Sequence, residues 1–192
     1  MPTNHKAKVF IAGSRRISRL NKEVHQRIKN VTDKGLTILV GDANGVDKAV
    51  QQFLRRIAYE KVIVFCMQGS CRNNIGDWRT QTVVPPAGVH RGFEYYAEKD
   101  KAMSAEADFG LMLWDGNSRG TFRSAIDLVG RGKPTVMYVA PLKSFWSLRD
   151  ISDLERLLQR VDPGHRYALE ADLPLAIHGA GSRHKNQTTN LF

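Results

Sequence analysis

Cysteine is scarce, with two in 192 residues. Cys66 and Cys71 cannot build the disulfide framework of a small secreted domain, and no partner residues stand at zinc-ligand spacing, so both are read as reduced thiols and no metal is expected. Long hydrophobic runs are missing too. Stretches such as Val62–Cys66 are strand-length, far short of the roughly 18 to 20 residues that span a bilayer, so no membrane partner is expected. The segment from Met1 to Lys6 carries no signal-peptide h-region, which predicts a cytoplasmic protein. No loop has the Walker pattern, and Gly-x-Gly-x-x-Gly is absent after the first strand, which argues against a P-loop ATPase or a standard dinucleotide dehydrogenase. Acidic side chains are sparse in one half only: residues 1–96 hold 7 acidic against 16 basic groups, and residues 97–192 hold 12 against 13. The net charge of +10 is therefore local to the first half. It fits an anionic partner there or a merely solubilising surface.

With 42% hydrophobic and 25% charged residues, the chain has the composition of a globular domain able to bury a core without staples. Short β-branched runs alternate with amphipathic stretches, the pattern of a parallel sheet covered by helices on both faces. Five strands are predicted, at 9–12, 37–40, 61–66, 109–114 and 134–139. The first is followed by a helix with Leu20, Val24, Ile28 and Val31 at helical spacing, capped by Ser18. A second helix turns Val46, Val50, Phe53, Leu54 and Ile57 inward. Residues 67–92 lose periodicity and read as a long irregular segment, of the kind that forms lids or binding loops. Helices are then expected over 93–106 and from about 120 to 130. A further helix over about 148–161 has Ser147 and Asp150 at capping-box spacing. Beyond Pro163 and Gly164 the pattern weakens, and residues 181–192 read as a disordered tail.

In open parallel sheets, ligands bind beyond the carboxyl ends of the strands. Three such ends are rich in glycine and small polar residues: Gly13-Ser14-Arg15, Gly41-Asp42-Ala43-Asn44-Gly45-Val46-Asp47, and Asp115-Gly116-Asn117-Ser118-Arg119-Gly120-Thr121. Each feeds a helix N-terminus, where free N–H groups and the helix dipole favour an anion. Together they describe a phosphate cradle, although any one of them is also an ordinary strand-to-helix turn, and Asp47 could simply cap its own helix. Trp114 stands at a strand end, where it either stacks on a base or packs under the next helix. Trp78 lies in the irregular segment with Arg72, Arg79 and Arg91, as part of a closing lid or as an anchor.

The Gly13-Ser14-Arg15 strand end, the Gly41-Asp-Ala-x-Gly-Val-Asp47 turn, and the run from Lys99-Asp100 through Met103, Ala107-Asp108, Trp114-Asp115-Gly and Ser118 to Gly120-Thr121 resemble the SLOG superfamily. These Rossmann-like domains are named for the Smf/DprA DNA-processing proteins and the LOG phosphoribohydrolases, and the motifs are most similar to the YspA-like branch. The resemblance spans about residues 8–140. It implies an α/β, Rossmann-like doubly wound, mostly parallel five-stranded sheet, followed by a C-terminal helix and tail. The expected layout is a nucleotide-binding domain over 1–145, a helical extension over 146–180 and the tail. The resemblance also implies a homo-oligomer, with no cofactor.

One departure matters. LOG hydrolases carry a glutamate in Pro-Gly-Gly-x-Gly-Thr-x-x-Glu that helps break the N-glycosidic bond, and here Ser124 stands in its place. Cleavage of that bond needs a carboxylate near the anomeric carbon. Asp100 is the best replacement, with Asp115, Glu94 and Glu98 behind it. The leading expectation is a domain that binds a nucleotide or nucleotide-derived ligand, as sensor or pathway component. Its phosphate would meet Gly13, Ser14, Arg15, Ser118, Gly120 and Thr121, beside Gly41, Gly45 and Gly116, with Asp42, Asn44 and Asp47 on the ribose. A nucleotide N-glycosidase or deoxyribosyltransferase-like enzyme using Asp100 or Asp115 is the alternative. DNA or RNA binding, which the basic first half permits, is the second alternative.

Overall fold

The computed structural model describes residues 6–68, 70–161, 164 and 169–173. In chain order these residues form β1 (Lys8–Gly13), α1 (Lys22–Asp33), β2 (Thr37–Gly41), α2 (Val46–Arg56), β3 (Val62–Met67), β4 (Arg79–Val83), α3 (Phe93–Glu106), β5 (Phe109–Trp114), α4 (Arg119–Gly130), β6 (Thr135–Val139), a 3-10 turn at Ala140–Leu142, β7 (Ser144–Leu148) and α5 (Ile151–Leu158). One sheet takes the order β4-β3-β2-β1-β5-β6-β7. All its pairings are parallel except β6 with β7, which is antiparallel.

The period of two along each strand sorts the core into two layers. Val9, Ile11, Ile38, Val40, Val64, Leu111 and Leu113 face α1 and α2, while Phe10, Leu39, Phe65, Met112 and Trp114 face α3, α4 and α5. In α1, Val24, Ile28 and Val31 form the buried stripe. The chain therefore needs a helix on each side of the sheet, and the doubly wound arrangement follows.

Among the described residues, the expected count of five strands is corrected to seven. β4 lies inside the segment read as irregular; its sequence, Arg-Thr-Gln-Thr-Val, is polar because it is a half-exposed edge strand, so it lacks the apolar alternation that marks a strand. β7 returns antiparallel on β6 at the other edge, where no helical crossover is needed to announce it. Ser18 does not cap α1. Asn21 does, accepting from the Val24 amide at 2.9 Å while its side-chain amide donates to the Tyr138 hydroxyl of β6. The last helix is shorter than expected: Ser147 belongs to β7, and Asp150 alone caps α5 by accepting from the Asp153 amide. The expected tail at 181–192, and much of the extension before it, lie outside the described residues.

The reading of two reduced thiols is also corrected. Cys66, at the end of β3, and Cys71 are joined in a disulfide, with their Cα atoms 5.0 Å apart. Five residues of separation left the pairing invisible to sequence spacing; the turn after β3 brings the two together. Among the described residues, no helix is long and apolar enough to cross a membrane.

Candidate functional site

The strand order reverses direction between β1 and β5, and above their carboxyl ends lies a cavity of about 1050 Å³. This is where the topology of an open α/β sheet leaves a crevice. Its walls are the β1 turn, the first turn of α4 and one face of α3.

Backbone geometry fixes the floor. Ser14 is fully buried; its amide donates to the Leu113 carbonyl and its hydroxyl donates to Asp115 Oδ1 at 2.9 Å. The same Oδ1 accepts from the Asn117 and Ser118 amides, so Asp115 closes the loop that leads into α4. Ser118 caps that helix and also receives the Thr121 hydroxyl at 2.9 Å. The amides of Arg119 and Gly120 are then the first-turn groups without an intrahelical partner, at the positive end of the dipole. Gly45 has φ +82°, and a side chain there would run into the backbone of Arg15, so glycine is what lets the β1 and β2 turns lie against each other.

A cluster of charges sits beside this floor. Asp42 is buried and accepts from Arg72 Nη2 at 2.7 Å, Arg72 Nε at 3.1 Å, the Arg72 amide at 3.0 Å and Lys99 Nζ at 2.8 Å. Burial alone would raise its carboxyl, but the guanidinium and the ammonium outweigh burial and hold it well below the usual carboxylate range. Lys99 Nζ also stands 3.9 Å from Asp47, whose carboxyl burial pushes upward. Asp47 does not cap α2; its Oδ2 accepts from the Ala43 amide and closes the β2 turn. Asp100, one residue beyond Lys99 on α3, lines the cavity, and desolvation together with the Asp47 charge raises its carboxyl to about 7 against the pull of Lys99, Arg15 and Arg72.

Of the residues expected to bind or react, Gly13, Arg15, Asp47, Asp100, Asp115, Ser118, Gly120 and Thr121 are brought together on the cavity wall. Ser14, Gly41, Asp42, Asn44, Gly45 and Gly116 do not line it. Trp114 is fully buried, packed on Phe122 at 5.4 Å between ring centroids with its indole N–H on the Ser118 carbonyl, so it packs under α4 instead of facing the cavity. Trp78 anchors its loop, donating to the Tyr59 carbonyl at 2.9 Å. Glu94 and Glu98 are held in pairs with Arg123 and Lys101. Ser124, at the position of the missing glutamate, donates to the Gly120 carbonyl.

The sequence reading missed the aromatic wall. Phe93 and Tyr96, three residues apart on α3, both line the cavity, and Phe93 is 48% exposed. Arg72 lies over the Tyr96 ring at 4.5 Å, Arg15 over the same ring at 5.6 Å, and Arg123 over Phe93 at 5.2 Å. The i, i+3 spacing of two aromatics at the start of α3 was the available signal; it was hidden because that helix has no clear apolar face. Among the described residues, Asp42, Cys66 and Cys71 form the one cluster of metal-ligand type, but its sulfurs are bonded to each other and its carboxylate is engaged by two cations.

Comparison with solved structures places this geometry. DNA processing protein A from Helicobacter pylori, described for its unique single-stranded DNA binding mode, superposes with a TM-score of 0.54 at 18% identity, over 88% of this chain and 82% of that one. The chain shares the DprA fold. DNA processing protein A from Streptococcus pneumoniae matches with a TM-score of 0.51 at 14% identity, over 69% of this chain and 50% of that one. The likeness supports the expected Rossmann-like architecture. No protein-family model matches the sequence, and no curated protein matches it significantly.

Proposed function

We propose that this chain binds single-stranded nucleic acid, taking phosphate at the β1 turn and the α4 N-terminus and stacking bases on the α3 aromatics. The observation that carries the reading is the pairing of two aromatic rings with arginines on one wall of the cavity: the exposed Phe93 with Arg123, and the half-buried Tyr96 with Arg15 and Arg72. Single-stranded binders combine a basic groove with rings on which successive bases stack. Seven basic side chains line the cavity, among them Arg15, Arg16, Arg119 and Arg123. The single-stranded DNA binding described for the Helicobacter DprA, on the same fold, supports the same reading. Within the SLOG superfamily we place the chain in the YspA-like branch, on the run from Lys99 to Thr121.

The test is fluorescence anisotropy with a labelled single-stranded oligodeoxynucleotide over a salt series, with mononucleotides as competitors. Affinity falls steeply with salt, and a mononucleotide competes weakly, because it neutralises fewer phosphate sites. A salt-insensitive complex displaced as readily by a mononucleotide would overturn the reading and return the cavity to a free nucleotide ligand.

Asp100 favours a second reading, a nucleotide N-glycosidase. A carboxyl raised to about 7 and facing the cavity is placed to donate or accept a proton near neutral pH. Incubation with a nucleotide panel releases free base if this is correct, and Asp100→Asn abolishes that release. No turnover by the unmodified protein removes it.

A further inference from the structure

The chain's two cysteines sit where they can control the cleft. Their sulfurs lie within 4.8 Å of an Asp42 carboxylate oxygen, and the residue after Cys71 is Arg72, whose amide and guanidinium both bind Asp42 and whose guanidinium covers Tyr96 at 4.5 Å. The Cys66–Cys71 bond therefore ties the Arg72 arm to the rigid end of β3. Cys66 is buried, while Cys71 is partly exposed, so an attacking thiolate reaches the Cys71 sulfur first.

We propose that the Cys66–Cys71 pair is a reversible thiol–disulfide site that latches Arg72 over the cleft when oxidised and releases it when reduced. The co-reactant is a low-molecular-weight thiol or a protein dithiol. Its thiolate forms a bond to the Cys71 sulfur as the S–S bond breaks and the electron pair leaves on Cys66, which takes up a proton. A second thiol then attacks the mixed disulfide, releasing Cys71 as a thiol and the reductant as its own disulfide. Two electrons and two protons pass to the protein in all, and oxidation reverses them. The ligand consequence of the latch rests on the nucleic-acid reading above, because Arg72 and Tyr96 form the stacking wall; the latch itself does not.

Hydrogen exchange on the full chain, oxidised and after treatment with a thiol reductant, tests the latch directly. The Arg72 amide exchanges about tenfold faster or more once reduced, since its bond to Asp42 is no longer held from the sulfur side. The Ile75 amide, which donates to Gln51 Oε1 at 2.9 Å, serves as the internal control and changes little. Equal Arg72 exchange in the two states, or two free thiols by alkylation and mass in the oxidised protein, overturns the proposal. In parallel, oligonucleotide affinity weakens severalfold on reduction and recovers on reoxidation, and Cys66→Ser/Cys71→Ser stays at the weak value throughout. Absence of oligonucleotide binding in both states refutes the nucleic-acid reading while the exchange result still decides the latch.

Discussion

Asp100 gives the sharpest quantitative test, because its effect is on stability and needs no ligand. In the native protein its carboxyl stays protonated to about pH 7, chiefly through desolvation, whereas in the unfolded chain it ionises near the ordinary aspartate value of 3.8. The folded state therefore holds a proton that the unfolded state has lost, and stability falls as pH rises between those values. The contribution is fully present below about pH 4 and is lost once the pH passes about 7. At about 1.4 kcal/mol per unit of separation, the loss reaches about 4 kcal/mol as an upper figure, a large part of a typical domain's total.

Asp100→Asn keeps the shape and the neutral state of the carboxyl but cannot ionise. Urea unfolding of both proteins at pH 5 and pH 8 isolates the effect from every other titrating group, including Asp47, whose raised carboxyl tilts the profile the same way. The variant gains on the wild type by up to about 2.5 kcal/mol between the two pH values, because part of the full effect is already lost at pH 5. Parallel pH profiles for the two proteins would show that Asp100 ionises in the folded state as it does in water, and the argument for a desolvated carboxyl on the cavity wall would fail.

Lys99→Met leaves Asp42 and Asp47 without their buried ammonium and costs about 3 to 5 kcal/mol in chemical denaturation, the usual result of breaking a buried pair from one side. Tyr96→Ala removes a stacking platform and weakens an oligonucleotide by about 1 to 3 kcal/mol in anisotropy titrations, with the salt slope unchanged. Arg15→Ala instead lowers that slope by about one, the signature of a lost phosphate contact. Asp172, from the segment after α5, forms a forked pair with Arg119 and lines the cavity. Asp172→Asn frees that guanidinium and tightens binding of inorganic phosphate severalfold by calorimetry.

The central strands, the helix stripes and the three glycine-rich turns were legible because each obeys one short-range rule: β-branched alternation, 3.6-residue spacing, or a turn that needs a small residue. What escaped depended on partners distant in sequence. β4 is polar because it is an edge, β7 is recognisable only by its pairing with β6, and the disulfide depends on how the chain turns after β3. Trp114 shows the same limit in the site: its position at a strand end left stacking on a base and packing under the next helix both open, and Phe122 from that helix receives its ring. Asp100 was identifiable as a carboxylate near the ligand crevice, while the suppression of its ionisation depends on burial by the folded chain and, after that, on the charge of Asp47, 53 positions earlier.

The surplus of positive charge in the first half fitted an anionic partner or a solubilising surface, and the cavity itself is mixed in charge. Seven basic and five acidic side chains line it. Three of the acids are held in place by local bonds: Asp115 closes a loop, Asp127 pairs with Arg131, and Asp172 pairs with Arg119. The other two, Asp47 and Asp100, have carboxyls pushed upward by burial. When both hold their protons the lining gains two units of positive charge without any change in its arginines. An anionic strand entering the cavity raises both carboxyls further, because each phosphate disfavours a second negative charge nearby. Binding and proton uptake are therefore coupled, and oligonucleotide affinity declines above about pH 7 in the wild type, while Asp100→Asn flattens that decline. An affinity that holds constant from pH 6 to pH 9 in the wild type would mean that the strand lies outside the reach of these carboxyls, on the arginine rim alone.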